Sequence, residues 1–169
     1  PGGIEIAEKI RAVILDPMHT EMHERTEALL YAAARAQHFY EKILPALDQG
    51  KSVLCDRFID SSLAYQGYAR GIGVNEVLGI NEFAIGKRLP DVTLFFNLSP
   101  EKGLARIHTT RTEELNRLDA ESLAFHEKVY EGYEEAMKRY PERFKIINAD
   151  QELEQVIDDV WMILNPLLG

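Results

Sequence analysis

The sequence turns from apolar to polar within one short stretch, VLCDRFIDSSLAYQG at residues 53–67. Its apolar start, Ser52–Cys55, predicts a buried strand of a parallel sheet, and residues 61–68 predict a short helix after it. In open α/β sheets, ligands bind outside the carboxyl ends of the strands. We therefore expect a ligand site where Asp56 and Arg57 follow the strand.

Asp56 and Arg57 are suited to the handling of phosphate. The planar guanidinium of Arg57 can hold a phosphate through two parallel hydrogen bonds. The carboxylate of Asp56 can hold Mg²⁺ or its water ligands, or it can meet an attacking oxygen. A plainer alternative is a salt bridge at the strand end, with a helix cap at Asp60 or Ser61. The crowding of polar groups after the strand favours the phosphate site.

Length, composition and charge limit the kinds of protein to consider. The chain has 169 residues, of which 46% are apolar and 28% charged, and its net charge is −9. These values predict one globular domain with a substantial core. The negative charge argues against nucleic acid or anionic membranes as partners, so a phosphate site must be a local basic cluster. The sequence has no long apolar run and no secretory leader, so we expect a soluble protein. Cys55 is the only cysteine, and its place in a predicted strand suggests a buried thiol in a protein of the reducing cytoplasm.

Apolar periodicity and turn residues predict further helices and strands along the chain. The helices are expected at 4–15, 24–48, 74–86, 122–140 and 153–164, another begins at Ser99 and Pro100, and strands are expected at 92–98 and 144–147. Pro45 is expected to kink the long second helix near its end. The apolar face of that helix is expected to include Leu29, Ala33 and Phe39.

Residues 56–67, DRFIDSSLAYQG, closely resemble the signature of bacterial thymidylate kinases, and the resemblance runs from Pro1 to the last helix. Members of this family transfer the γ-phosphoryl group of ATP to deoxythymidine monophosphate (dTMP). The resemblance implies one domain over residues 1–169, with the three-layer α/β/α architecture and parallel sheet of P-loop nucleoside monophosphate kinases. It also implies ATP with Mg²⁺, dTMP as the other substrate, a homodimer and a cytoplasmic location.

The resemblance also assigns roles around the acceptor nucleotide. Arg11 and Arg57 would hold the monophosphate, with Asp56 assisting at the metal or the acceptor. Thymine would be recognised by Tyr31, Arg35, Ser62 and Gln66, and the deoxyribose would pack on Tyr65. The family usually has phenylalanine at the Tyr31 position. The plain alternatives are a solvated helix arginine at 11, a core tyrosine beside a surface arginine at 31 and 35, and helix capping and packing at 62, 65 and 66.

Two further segments match the family near the donor nucleotide. Residues 108–118 match its lid, and the arginines expected to stabilise the transition state are Arg106, Arg111 and Arg117, with Arg111 first. Ala149, Asp150 and Gln151 resemble the loop that contacts the adenine of ATP. A solvated charged loop and an ordinary strand-to-helix turn are the respective alternatives.

The beginning of the chain suggests a missing segment. Pro1-Gly2-Gly3 resembles a loop that in this family follows the second strand, and the sequence contains no phosphate-binding loop of the form G-x-x-x-x-G-K-[ST]. We therefore expect the first strands to be missing, a gap in a sheet of order 2-3-1-4-5, and no activity for the chain as given. Two alternatives stay open: a kinase for another deoxynucleoside monophosphate, and an inactive nucleotide-binding or dimerisation module.

Overall fold

Two parallel strands, β1 (Thr93–Asn97) and β2 (Phe144–Asn148), form the sheet of this computed structural model, which describes residues 2–110 and 117–168. Their register pairs Thr93 with Phe144 and Asn97 with Asn148. Both predicted strands, 92–98 and 144–147, are confirmed within a residue or two at each end. Within the described residues β1 is hydrogen-bonded to a strand on one side only.

Helices make up most of the remaining structure. They are α1 (Glu5–Leu15), α2 (Glu24–His38), a π-helical turn (Phe39–Ile43), α3 (Leu44–Asp48), α4 (Ile59–Ser62), a π-helical segment (Leu63–Ala69), α5 (Val74–Ile85), α6 (Pro100–Thr110), α7 (Leu123–Arg139) and α8 (Leu153–Leu168). The predicted helix over 24–48 is confirmed as one helical run with a wider turn just before Pro45, which cannot donate a hydrogen bond to the preceding turn. Among the described residues no helix is both long enough and apolar enough to cross a bilayer.

The helix ends carry the residues that the termini require. Ser122 Oγ accepts a hydrogen bond from the backbone N–H of Phe125 at 3.2 Å and so caps α7. The predicted start of α6 is confirmed, because Ser99 Oγ accepts from Lys102 N at 3.4 Å ahead of the helix. Gly86 ends α5 in the left-handed conformation, with φ of 67°. These local signals explain why most helix boundaries could be predicted.

The predicted strand Ser52–Cys55 is wrong, because these residues form no strand. A strand needs a hydrogen-bonded neighbour, and β1 and β2 pair only with each other within the described residues. Leu54 is 81% exposed, and Cys55 is exposed rather than buried as expected. The apolar run therefore favours an extended backbone, but the described residues offer it no strand to pair with.

The core lies between the helices. Phe39 and Ile43 pack with Ala84 and Ile85 of α5, and Ile59 and Leu63 pack with Val77 in a neighbouring cluster. Phe39 is buried as predicted, but Leu29 and Ala33 are exposed. The buried side of α2 carries instead small alanines and two charged residues, Glu27 and Arg35, which are 1% and 4% exposed.

A buried ion pair joins α4 to the sheet. The guanidinium of Arg143 donates from Nη1 and Nη2 to the two carboxylate oxygens of Asp60, each at 2.7 Å. Thr93 Oγ1 of β1 donates to the same carboxylate at 2.9 Å. The Arg143 guanidinium also lies 4.7 Å from the ring centroid of Tyr140. Asp60 thus ties the chain after Arg57 to both strands.

Candidate functional site

A cleft of about 410 Å³ opens beside the carboxyl end of β1. Eight residues expected at the acceptor site line it together: Arg11, Tyr31, Arg35, Asp56, Arg57, Ser62, Tyr65 and Gln66. They come from α1, α2 and the segment after Cys55, and side chains of α6 and α7 form the opposite wall. Its volume falls in the range of small-molecule sites.

Arg57 has a backbone conformation that side-chain-bearing residues seldom adopt. Its φ is 59°, in the left-handed region, which costs free energy in a residue other than glycine. The guanidinium lies 5.7 Å from the ring centroid of Tyr65, and both residues line the cleft. Such strained conformations cluster at functional sites, where the surrounding structure holds them in place.

Arg35 is buried, and its guanidinium donates hydrogen bonds to acceptors at Phe58, Ser62 and Asn81. Its Nη2 donates to Ser62 Oγ at 2.9 Å and to the carbonyl of Phe58 at 3.2 Å. Its Nη1 donates to Asn81 Oδ1, and Asn81 Nδ2 donates in turn to the carbonyl of Val77 at 2.8 Å. Burial lowers the pKa of Arg35 to about 10, so it stays charged at neutral pH. The surface arginine considered as an alternative is therefore wrong.

Tyr31 offers an uncharged ring to the cleft. Burial, together with the negative charge of Glu27, raises the pKa of the Tyr31 phenol to about 12. Across the cleft, burial also raises the pKa of Tyr133 to about 12, and its hydroxyl is 2.8 Å from Ser61 Oγ. Both phenols therefore remain protonated near neutral pH, and neither can act as a general base there.

Glu27 is a buried carboxylate behind the cleft wall. Its Oε1 accepts a hydrogen bond from Gln66 Nε2 at 2.8 Å, and its Oε2 accepts from Arg70 Nη2 at 3.3 Å and from Arg117 Nη2. Burial alone would raise the pKa of Glu27, but the hydrogen bonds from Arg117 and Gln66 and the positive charges of Arg70 and Arg117 lower it. Glu27 is thus ionised at neutral pH.

Two buried nitrogen atoms of the cleft residues have no hydrogen-bond partner within the described parts of the chain. They are Arg11 Nε and His126 Nε2. Burial also lowers the pKa of His126. Arg11 Nε lies 3.6 Å from Glu8 Oε2, so of the two only His126 Nε2 is left without a polar partner among the described residues, and a buried polar atom of this kind is suited to a polar ligand.

Of the three arginines expected to stabilise the transition state, Arg106 and Arg117 belong to the described residues. Arg111 lies outside the described residues. Arg117 donates from Nε to the carbonyl of Ile14 at 2.9 Å and from Nη2 to Glu27, so it is docked against α1 and α2. Arg106 is exposed on α6, outside the residues that line the cleft. Their catalytic roles stay predictions.

The residues expected near adenine follow β2. The backbone N–H of Ala149 donates to the carbonyl of Asn97 at 2.9 Å and so extends the pairing of the two strands. The Asp150 carboxylate forms an ion pair with Lys102, and Gln151 Nε2 donates to Asp159 at 2.7 Å. They lie at the carboxyl end of the strand but do not line the cleft of about 410 Å³. Their contact with ATP stays a prediction.

Three functional candidates were not predicted from the sequence. Glu27 and Asn81 lie on helices where a single polar residue normally indicates the solvated face, so no local signal marks them as buried. His126 is the fourth residue of α7 and has an ordinary helical context. Their importance appears only when the facing elements are known.

The fold is that of an α/β protein, and its cleft brings cationic and aromatic side chains together. The sequence model of the thymidylate kinase family matches residues 1–160. The thymidylate kinase of Oceanobacillus iheyensis is 61% identical over 169 residues, covering 100% of this chain and 75% of the relative. Those of Halalkalibacterium halodurans and Bacillus velezensis are 63% and 60% identical, covering 100% and 99% of the chain and 80% and 79% of the relatives.

The chain therefore belongs to the thymidylate kinase family, whose members have the P-loop NTPase fold. The recognised signature at 56–67 and the expected α/β fold class are confirmed by this match. The chain spans three quarters or more of each of these relatives.

Proposed function

We propose that the protein transfers the γ-phosphoryl group of ATP to dTMP, giving dTDP for DNA precursor synthesis. The observation that carries the proposal is the meeting of eight residues from three segments of the chain in one cleft, where they supply arginines, aromatic rings and an amide. Family membership supports the same reaction. It does not favour another deoxynucleoside monophosphate or an inactive module.

The acceptor nucleotide would lie across the cleft. Arg57 and Arg11 hold the monophosphate, and the position of both arginines on the cleft wall supports this role. Thymine stacks on Tyr31 while its polar edge meets Arg35, Ser62 and Gln66. The deoxyribose packs on Tyr65, whose ring already lies beside the Arg57 guanidinium.

Phosphoryl transfer needs positive charge and positioned oxygens at the moving group. Arg111, Arg106 and Arg117 are the candidates to supply that charge. Mg²⁺ is usually held by one or two carboxylates and by the substrate's phosphates, and Asp56 beside Arg57 fits as such a carboxylate. When bound, the ion would neutralise charge on the ATP phosphates. Among the described residues no three potential ligand side chains converge on one point.

The remaining parts of the proposal come from the family. ATP binding through Ala149, Asp150 and Gln151, a homodimer, a cytoplasmic location and a single kinase domain over residues 1–169 with a lid at 108–118 are proposed together. Inactivity of these 169 residues by themselves stays a prediction.

The test is a kinetic assay of the complete gene product that carries this chain. ADP formation from ATP is followed with dTMP, dUMP and dGMP as acceptors. We expect dTMP to give the highest kcat/KM. Arg57→Ala should lower that value by about 100-fold or more, because the phosphate of the acceptor nucleotide loses a hydrogen-bond donor. Arg139→Ala, an exposed arginine at the end of α7, is the matched control and should leave it unchanged. A higher kcat/KM for dGMP, or no acceptor-dependent ADP, would contradict the proposal.

A further inference from the structure

Gln66 has one side in the cleft and the other against a buried negative charge. Its Nε2 donates to Glu27 Oε1 at 2.8 Å, and the residue lines the cleft with Arg35 and Ser62. We propose that Glu27 is a positioning residue that fixes the Gln66 amide with its carbonyl oxygen toward the cleft, so that the site selects a base with an N–H donor at that point. This inference rests on the proposed function.

The chemistry of the two groups fixes the direction of the amide. An ionised carboxylate only accepts hydrogen bonds, so it can bind the NH₂ of Gln66 but not its carbonyl oxygen. The reversed amide would place a carbonyl dipole against a buried negative charge and leave that charge with one fewer donor, which is costly in a low-dielectric interior. The carbonyl oxygen is then the amide atom available to a ligand.

The carboxylate itself cannot easily turn away from Gln66. Its second oxygen is held by Arg117 and by Arg70. Arg70 is fixed in turn by Glu121 at 2.5 Å and by the ring of Phe125, whose centroid lies 4.3 Å from the guanidinium. Arg70 and Arg117 therefore hold the Glu27 carboxylate in one orientation, and the carboxylate in turn holds the Gln66 amide.

A fixed orientation of the Gln66 amide matters for base selection, because thymine and cytosine present different hydrogen-bonding groups along the same edge. Thymine presents an N3–H donor beside the O4 acceptor, whereas cytosine presents an N3 acceptor beside an N4 amino donor. A Gln66 carbonyl oxygen and an Arg35 N–H match the thymine pattern and oppose the cytosine pattern at both atoms. If the amide could turn, one of the two mismatches with cytosine would disappear.

The experiment compares kcat/KM for dTMP and dCMP in the complete gene product. Glu27→Gln can both donate and accept, so it permits the reversed Gln66 amide. We expect it to lower the dTMP-to-dCMP ratio by about tenfold, the size of one hydrogen bond gained or lost. Glu121→Gln is the matched control: it makes the same change in the same cluster without contacting Gln66, and because its amide oxygen can still accept from Arg70 and so keep Arg70 against Glu27, it should leave the ratio unchanged.

A double-mutant cycle separates positioning from a general loosening of the site. In a Gln66→Ala background, Glu27→Gln should no longer change the ratio. If Glu27→Gln melts below the assay temperature, Glu27→Asp replaces it: it keeps the charge near Arg70 and Arg117 but withdraws the carboxylate by about 1.5 Å, and it should shift the ratio in the same direction.

An unchanged ratio in the folded Glu27 variant would overturn the inference, as would an equal shift in Glu121→Gln or a shift that persists without Gln66. A wild-type protein that does not prefer dTMP over dCMP would instead overturn the proposed function. The two failures are therefore distinguishable.

Discussion

At the scale of single residues, Tyr31 tests whether the ring or the hydroxyl recognises the base. Its phenol is protonated at neutral pH, because burial raises its pKa to about 12, so Tyr31→Phe changes no charge. We expect Tyr31→Phe to keep KM for dTMP within about twofold, because the ring supplies most of the contact. Tyr31→Ala should raise KM about tenfold, since base stacking on an aromatic ring contributes roughly 1–3 kcal/mol. Equal losses in the two variants, measured by steady-state kinetics, would assign binding to the hydroxyl.

At the scale of elements, α7 and the π-helical segment Leu63–Ala69 approach so closely that only glycine fits between them. A Cβ at Gly132 would lie 2.8 Å from Ala64 Cα and 2.9 Å from the Ala64 carbonyl oxygen. We expect Gly132→Ala to lower the free energy of unfolding by about 1–3 kcal/mol, because backbone atoms must move. Urea denaturation of the complete gene product measures the change.

The control for this packing prediction is a glycine on another helix. Gly79 lies on α5, and a Cβ there would meet nothing within 4 Å. Gly79→Ala should raise the free energy of unfolding by about 0.5–1 kcal/mol, because alanine favours the helix. Stabilisation by both substitutions would show that α7 and the π-helical segment are not in tight contact.

At the scale of the whole molecule, the Asp60–Arg143 pair joins residues 83 positions apart. It holds the chain that follows Arg57 against the sheet, and both side chains are buried. We expect Asp60→Ala to lower the free energy of unfolding by about 3–5 kcal/mol, because the Arg143 charge is left buried without its counter-charge. Urea denaturation measures this too.

An exposed ion pair is the comparison for Asp60. Glu5 and Lys9 on α1 lie 2.7 Å apart with both side chains largely exposed. Glu5→Ala should change the free energy of unfolding by no more than about 0.5 kcal/mol, since solvent screens such pairs. If both variants lower the free energy of unfolding by the same amount, the buried pair does not hold α4 to the sheet.

Most elements could be predicted because their signals are local. Ser122, Gly86 and the Ser99-Pro100 pair mark helix ends through their own hydrogen bonds and backbone angles. The strand at 52–55 could not be predicted correctly, because an apolar run reports a preference for extended backbone and not the presence of a neighbour. The exposure of Cys55 follows from the same missing pairing.

Eight of the residues that line the cleft could be predicted, but the residues that orient them could not. The signature at 56–67 identified Arg57, Ser62 and Gln66, and these line one cleft. The residues that orient them, Glu27 and Asn81, carry no local mark, because a charged or amide group on a helix normally faces water.

By itself, then, the sequence determined the family, most of the helices and strands, and eight of the residues that line the cleft, since motifs, helix caps and apolar periodicity are patterns of side chains close together along the chain. Only the tertiary structure decided that Glu27 is buried, which way it turns Gln66, and that Arg117 is docked on it. The physical reason is that a buried charge is stable only where opposite charges and donors converge, and here they come from segments 39 to 90 residues away.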